Sequence, residues 1–190
     1  MRTASFAFTT TLALSLLGAT GCGPSTKNEE QYWTVHQAEV AEYGGRWPGF
    51  KTLLAARLEK ARPAWEAALT VGGDKEKAQK MHEANALLAD GLLTRLGEVK
   101  YKSKGIDGTV EKINSLKLPM SRAGERREAV VSAQRSLDEV ERAMVGARPA
   151  NETEALKLLE EQISKLITDG GAADRAYTRL KPEPEKKKKK

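Results

Sequence analysis

ETEALKLLEEQISKLITDGGAADRAYTRL, residues 152–180, is the stretch that decides the fold class. Leu156, Leu159, Ile163 and Leu166 recur at steps of three and four, and Ala173, Tyr177 and Leu180 resume the rhythm beyond Gly170. The 3.6-residue period of an α-helix places such positions on one face, whereas a half-buried strand needs alternation. Asn151, with Glu154 three residues on, reads as a capping box at the start of this helix. Gly170-Gly171 is expected to end it, with a second helical stretch resuming from Asp174.

The same rhythm runs backwards through the chain. Val130, Ala133, Leu137, Val140 and Met144 form one stripe, and Ala78, Met81, Asn85, Leu88, Leu92, Leu96 and Val99 form another. Phe50, Leu54, Leu58, Ala61, Trp65 and Ala68 precede them, behind a first stripe of Trp33, His36, Val40 and Tyr43. Gly44, Gly45 and Pro48 separate the first two helices, and Gly72-Gly73-Asp74 the next two, with Asp74 as the expected N-cap. Pro63 predicts a kink or a break near Arg62. A short helix over Asp107–Lys117, carrying Val110, Ile113 and Leu116, is expected to bridge two long ones. No period-2 alternation occurs. The expected fold is all-α, an antiparallel, four-helix-like bundle across which the first helix can pack; an elongated helical hairpin assembled as an oligomer is the rival.

The chain has 190 residues, 31% of them charged, and a formal net charge of +6. Arg2 carries one positive charge, and residues 181–190 (KPEPEKKKKK) set six Lys against Glu183 and Glu185. Residues 22–180 hold 25 Lys and Arg against 24 Asp and Glu, so the body is almost neutral. A nucleic-acid footprint would cluster basic residues with interleaved aromatics on the folded body. None is seen, and no nucleic-acid partner is expected.

Residues 1–21, MRTASFAFTTTLALSLLGATG, read as a secretory signal: one basic residue, an uncharged and mostly apolar run, then small residues. Thr9, Thr10, Thr11 and Ser15 dilute the run for a spanning helix, and no basic cluster follows it. Ala19-Thr20-Gly21-Cys22 resembles the lipobox of bacterial lipoproteins. That resemblance implies cleavage before Cys22, a thioether-linked diacylglycerol on its sulfur, usually with N-acylation, and anchoring to a bacterial membrane. Several acyl chains, each methylene worth about 0.8 kcal/mol when buried, make a durable anchor. In Gram-negative lipoproteins an Asp after the cysteine marks retention in the inner membrane. Gly23 stands there, which implies the cell envelope with the outer membrane favoured. Cys22 is also the one cysteine of the chain, which excludes disulfides and Cys-cluster zinc sites.

Signatures of catalysis are missing. His36 has Trp33 and His82 has Gln79 three positions back, so neither makes the Glu-x-x-His of a carboxylate-bridged metal bundle. His82-Glu83 lacks the second histidine of a zincin, and no phosphate loop or G-x-S-x-G elbow occurs. No enzyme activity, metal or cofactor beyond the acyl lipid is expected. Six of the eight aromatic residues after the signal fall between Tyr32 and Trp65. Trp33, His36, Trp47 and Trp65 are therefore the candidate binding surface, with packing of the rings in the core of the first helix pair as the alternative. Asn85, on an apolar stripe, could fix helix register as single buried polar residues do.

Lys186, Lys187, Lys188, Lys189 and Lys190 close a Pro/Glu/Lys tail that cannot form a packed core and is expected to be extended and disordered. Its expected contact is a polyanion: anionic lipid, acidic polysaccharide or peptidoglycan. An anchored cysteine, a helical body and a terminal lysine are architecturally similar to the murein lipoprotein, a family that joins its C-terminal lysine to peptidoglycan. The division is thus 1–21 signal, 22–28 lipidated tether, 29–180 helical bundle and 181–190 tail. The expected function is a membrane-anchored scaffold, tether or accessory subunit that binds envelope proteins through helical faces. The alternative is a small-ligand or signal-binding bundle of the periplasm or cell surface.

Overall fold

The computed structural model describes residues 23–182. Six helices account for nearly all of them: α1 (Thr26–Arg46), α2 (Lys51–Leu69), α3 (Asp74–Ala89), α4 (Leu92–Ser115), α5 (Ala123–Gly146) and α6 (Glu152–Leu180). Single 3₁₀ turns at Pro48–Phe50 and Met120–Arg122 lead into α2 and α5. No strand occurs among the described residues, and none of their helices is long and apolar enough to cross a membrane. The all-α bundle is present, and its helices pack mainly as two groups of three, α1–α2–α3 and α4–α5–α6.

Several helix boundaries differ from those read in the sequence, each for a local reason. The stripe from Ala78 to Val99 is two helices, because Gly91 adopts φ 76°, a left-handed conformation that glycine reaches without steric cost. Leu88 and Leu92 are fully buried on either side of this joint, so the apolar rhythm runs on while the backbone turns. The separate piece at Asp107–Lys117 is instead the second half of α4, whose Ile106, Thr109, Val110 and Ile113 are buried. Residues Gly170 and Gly171 do not end α6. Gly170 faces Ile106 of α4, where a Cβ would meet its Cγ1 at 3.5 Å, an ordinary contact, and α6 runs on through both glycines packed against the parallel α4.

Pro63 does not break α2. A proline within a helix costs about 3 kcal/mol, and here it lies between Ala61, Trp65 and Ala68, all buried on one face. That burial holds the helix together across the missing hydrogen bond. The cap of α3 is Gly73, and Asp74 is its first helical residue, where its charge still favours the positive end of the helix. Helix α1 begins earlier than expected: the Ser25 hydroxyl accepts the Asn28 N–H and starts it at Thr26, inside the stretch read as tether. It also runs through Gly44 and Gly45 and stops at Trp47-Pro48. The cap at Asn151 is present, with the reciprocal bond shifted one residue back from that of a standard capping box. Its Oδ1 accepts the Glu154 N–H at 3.0 Å, and the Glu154 carboxylate accepts the Ala150 N–H at 3.0 Å.

One continuous core runs through both groups. At the junction Trp47, Phe50 and Leu54 are fully buried, and Gly49 lies so close to the Ala147 carbonyl that a Cβ would overlap it. Three ion pairs cross the same region: Arg57 Nη1 to Glu152 Oε1 at 2.6 Å, Lys100 to Glu42 at 2.7 Å and Arg46 to Glu141 at 2.9 Å. Helices α4 and α6 run parallel, Ile106 against Gly170 and Thr109 against Asp174. Their far ends meet the α4–α5 turn, where Arg122 donates to the Arg179 and Leu180 carbonyls.

Candidate functional site

The three indoles proposed as a surface are core. Trp33 from α1 and Trp65 from α2 stack face to face, centroids 4.6 Å apart and planes within 3°, and each is less than a tenth exposed. The spacing of the first two apolar stripes brings these faces together, and two large rings bury more area against each other than against solvent. Trp47 is fully buried at the junction, stacked on Tyr43 at 5.6 Å. Its Nε1 donates to Glu141 Oε2 at 3.3 Å, which satisfies the one polar atom of the ring. The Arg46 guanidinium lies 5.0 Å over the same ring and pairs with Glu141 through Nε and Nη2. Trp47 therefore ties α1 to α5 and stands apart from the Trp33–Trp65 stack.

His36 is half-buried and pairs within its own helix, Nδ1 to Glu39 Oε2 at 3.1 Å. It does not join the indoles in a pocket. Shallow concavities on the described surface include two that lie away from the indoles. One lies along α6 beside Lys157, Glu161, Lys165 and Asp169, and the other between α2 and α3 beside Arg57, Glu83 and Asp90. Neither is lined by an aromatic residue. Among the described residues no group of three or more His, Cys, Asp or Glu side chains could hold a metal ion. Cys22 and Lys186–Lys190 lie outside the described residues.

A polar cluster that the sequence only half revealed joins α1 to α3. Glu29, 3% exposed, accepts Asn85 Nδ2 at 2.8 Å on Oε2 and at 3.0 Å on its backbone carbonyl. His82 Nδ1 stands 3.3 Å from Glu29 Oε1, its ring half in solvent. Asn85 is the buried polar residue of its stripe, as its spacing implies. Its partner could have been found from one signal: Glu29 lies four residues before Trp33, on the same helical face. A carboxylate deep in a helix interface needs donors, and Asn85 supplies two hydrogen bonds from one nitrogen.

At the other end of α1 the Tyr43 phenol is pushed well above the usual tyrosine range. Burial is the main cause, and the Glu39 and Glu42 charges add to it while Arg46 opposes it. Ser136 and Lys165 hold Asp169 between α5 and α6, with Lys165 bridging Asp169 and Glu139 at 3.1 Å each. These groups lock helix faces together, and none is aimed into an enclosed cavity. No family model, curated protein or solved structure matches the chain.

Proposed function

We propose that this chain is a lipid-anchored helical protein of the bacterial cell envelope that works by binding, as a tether, scaffold or accessory subunit. The observation that carries the reading is Cys22. The one cysteine in the chain closes Ala19-Thr20-Gly21-Cys22, behind a signal-like run. Only Gly23, Pro24 and Ser25 stand between it and α1. At no more than about 3.6 Å per residue, that spacer keeps the start of α1 within roughly 15 Å of the lipidated sulfur. The outer membrane is favoured, since Gly23 follows the cysteine.

A binding role for the body is supported by how its chemistry is used. The three indoles, Tyr43 and Phe50 lie in the core, and buried polar groups such as Glu29 and Asn85 are engaged in helix contacts. What remains exposed is helical surface, its charges and single apolar side chains such as Tyr32, Tyr101 and Met120. The Cys22→Ala chain tests the anchor: lipid labelling should disappear and the protein should move from the membrane to the soluble envelope fraction. Unchanged fractionation with no lipid on the wild-type chain would overturn the reading.

A further inference from the structure

The most exposed large apolar side chain among the described residues has no part in the core. Met120 is 91% exposed and opens the 3₁₀ turn Met120–Arg122 that links α4 to α5. It follows Leu116-Lys117-Leu118-Pro119, a non-helical stretch in which Leu116 and Leu118 are half-buried and Lys117 is exposed. Four of the five residues 116–120 are therefore apolar, in a turn where small and polar residues are the rule. One exposed apolar residue carries no meaning by itself. The setting of this one does.

Met120 stands in a ring of cations that contacts on both sides of the turn bring together. Arg126 donates to the Leu116 carbonyl at 3.4 Å, beside Lys117. Arg122 donates to the Arg179 carbonyl at 3.0 Å and the Leu180 carbonyl at 3.4 Å, beside Lys181. Arg122 also binds Glu125 at 3.1 Å. That bond holds Glu125 below the usual carboxylate range against slight desolvation, and the charges of Arg122 and Arg179 add to the effect. Residues 116–126 and 179–181 thus set Lys117, Arg122, Arg126, Arg179 and Lys181 against Glu125 alone, a net +4. With a Debye length of about 10 Å at 0.1 M salt, charges on segments joined by hydrogen bonds act as one field.

We propose that the α4–α5 turn is a docking tip for an anionic phospholipid bilayer, with Met120 entering the headgroup region while the surrounding cations settle on lipid phosphates. Charge alone fits any polyanion. The apolar crown selects the bilayer, because a hydrated polymer offers no apolar phase in which to bury a thioether. An apolar group framed by Lys and Arg is the make-up of peripheral lipid contacts, in which buried apolar area and attraction to anionic lipid add. The unbranched Met side chain adapts to an irregular surface, and the long Lys and Arg stems let their charges stay in water as the tip enters. The site consists of described residues alone and does not depend on lipidation of Cys22. In an anchored chain it supplies a second point of membrane contact.

The test uses the mature Cys22→Ala chain, which carries no acyl group, and phosphatidylcholine vesicles with and without phosphatidylglycerol. Met120→Trp places an indole at the crown. Its emission should shift to the blue and escape a water-soluble quencher with the anionic vesicles only, since Trp33, Trp47 and Trp65 are already buried. The same reporter at Tyr101, 68% exposed in the middle of α4, should not respond. In co-sedimentation Met120→Gln should weaken binding about fivefold at low and high salt alike, because apolar insertion is not screened. Lys117→Gln with Arg179→Gln should weaken it about tenfold at about 50 mM salt and by little near 0.5 M. A chain ending at Pro182 should keep the shift of the crown indole, which separates this tip from the lysines beyond it. The proposal is overturned by a crown indole that stays in water, an equal response at position 101, a Met120→Gln chain that binds like its parent, or loss of the shift in the shortened chain. All the substituted side chains are exposed, and matching circular dichroism and melting curves establish that every variant is folded.

Discussion

Asn85→Leu is the sharpest probe of the packing between α1 and α3, because it sets two buried groups in opposition. The change removes the 2.8 Å bond to the Glu29 carboxylate and the 3.0 Å bond to its backbone carbonyl. A bond to a charged partner is worth about 1.5–3 kcal/mol and a neutral one about 1 kcal/mol. Two terms offset this loss. The buried Oδ1 of Asn85 has no partner, so its removal recovers a desolvation cost of about 1–2 kcal/mol, and leucine adds apolar burial. What remains is a carboxylate 3% exposed, facing His82 at 3.3 Å and no other side-chain partner. The net expectation is destabilisation by about 2 kcal/mol, or roughly 4–8 °C in Tm for a chain of this size. Replacing both residues, Glu29→Met with Asn85→Leu, removes donor and acceptor together and should return stability to within about 1 kcal/mol of wild type. Urea unfolding followed by fluorescence of the stacked indoles measures all four corners of the cycle. If Asn85→Leu is as stable as wild type, or the double variant is no better than the single, the Glu29–Asn85 pair does not hold these helices together.

Two further changes test the continuity of α6 and the burial at the end of α1. Gly170→Ala should stabilise by about 0.5–1 kcal/mol, since glycine inside a helix costs that much and the new Cβ meets Ile106 at an ordinary contact distance. A loss in thermal unfolding would mean that the helix is interrupted there. Tyr43 has its folded-state value raised, so the neutral phenol is the form the fold holds, and its stabilisation is complete below the ordinary tyrosine value near 10. Stability should therefore fall as pH rises past that value towards the raised one. In a phenolate absorbance titration, Tyr43 should ionise only with unfolding, and the Tyr43→Phe chain identifies its step by losing it. Tyr43→Phe should extend the alkaline limit, and ionisation of Tyr43 without unfolding would contradict the burial.

Helix content was legible because steps of three and four survive everywhere in the sequence. Helix ends were less so, since a stripe records which face is buried and says little of the direction of the axis. Leu88 and Leu92 keep the step of four across Gly91, yet the chain turns between them. Gly170-Gly171 carries the opposite lesson. Two weak helix formers look like a stop locally, yet the packing of α6 against α4, with Ile106 beside Gly170, carries the helix through them. Tertiary contact overrode propensity in both directions. Among the candidate residues, the aromatic cluster was visible as a cluster, but its burial was not. Trp33 and Trp65 lie 32 positions apart, and their stacking depends on the crossing of α1 over α2.

Charge shows the same limit, with a functional consequence. Counted along the chain, Lys112 sits beside Glu111 and Arg127 beside Glu128, and the body as a whole sums to near neutrality. The antiparallel return of α5 and the second return of α6 bring residues 111–128 against residues 174–181 and separate both from the acidic flank. A bundle of this kind sorts charge by height, because residues at one level come from three distant segments. The lysine tail then leaves from the level that is already cationic. Had it left from the junction, beside Glu152 and Glu154, its lysines would have been neutralised by the body that carries them. Residues 111–128 and 174–181 therefore hold a net +4 at the end of α6 that lies farthest from Glu152.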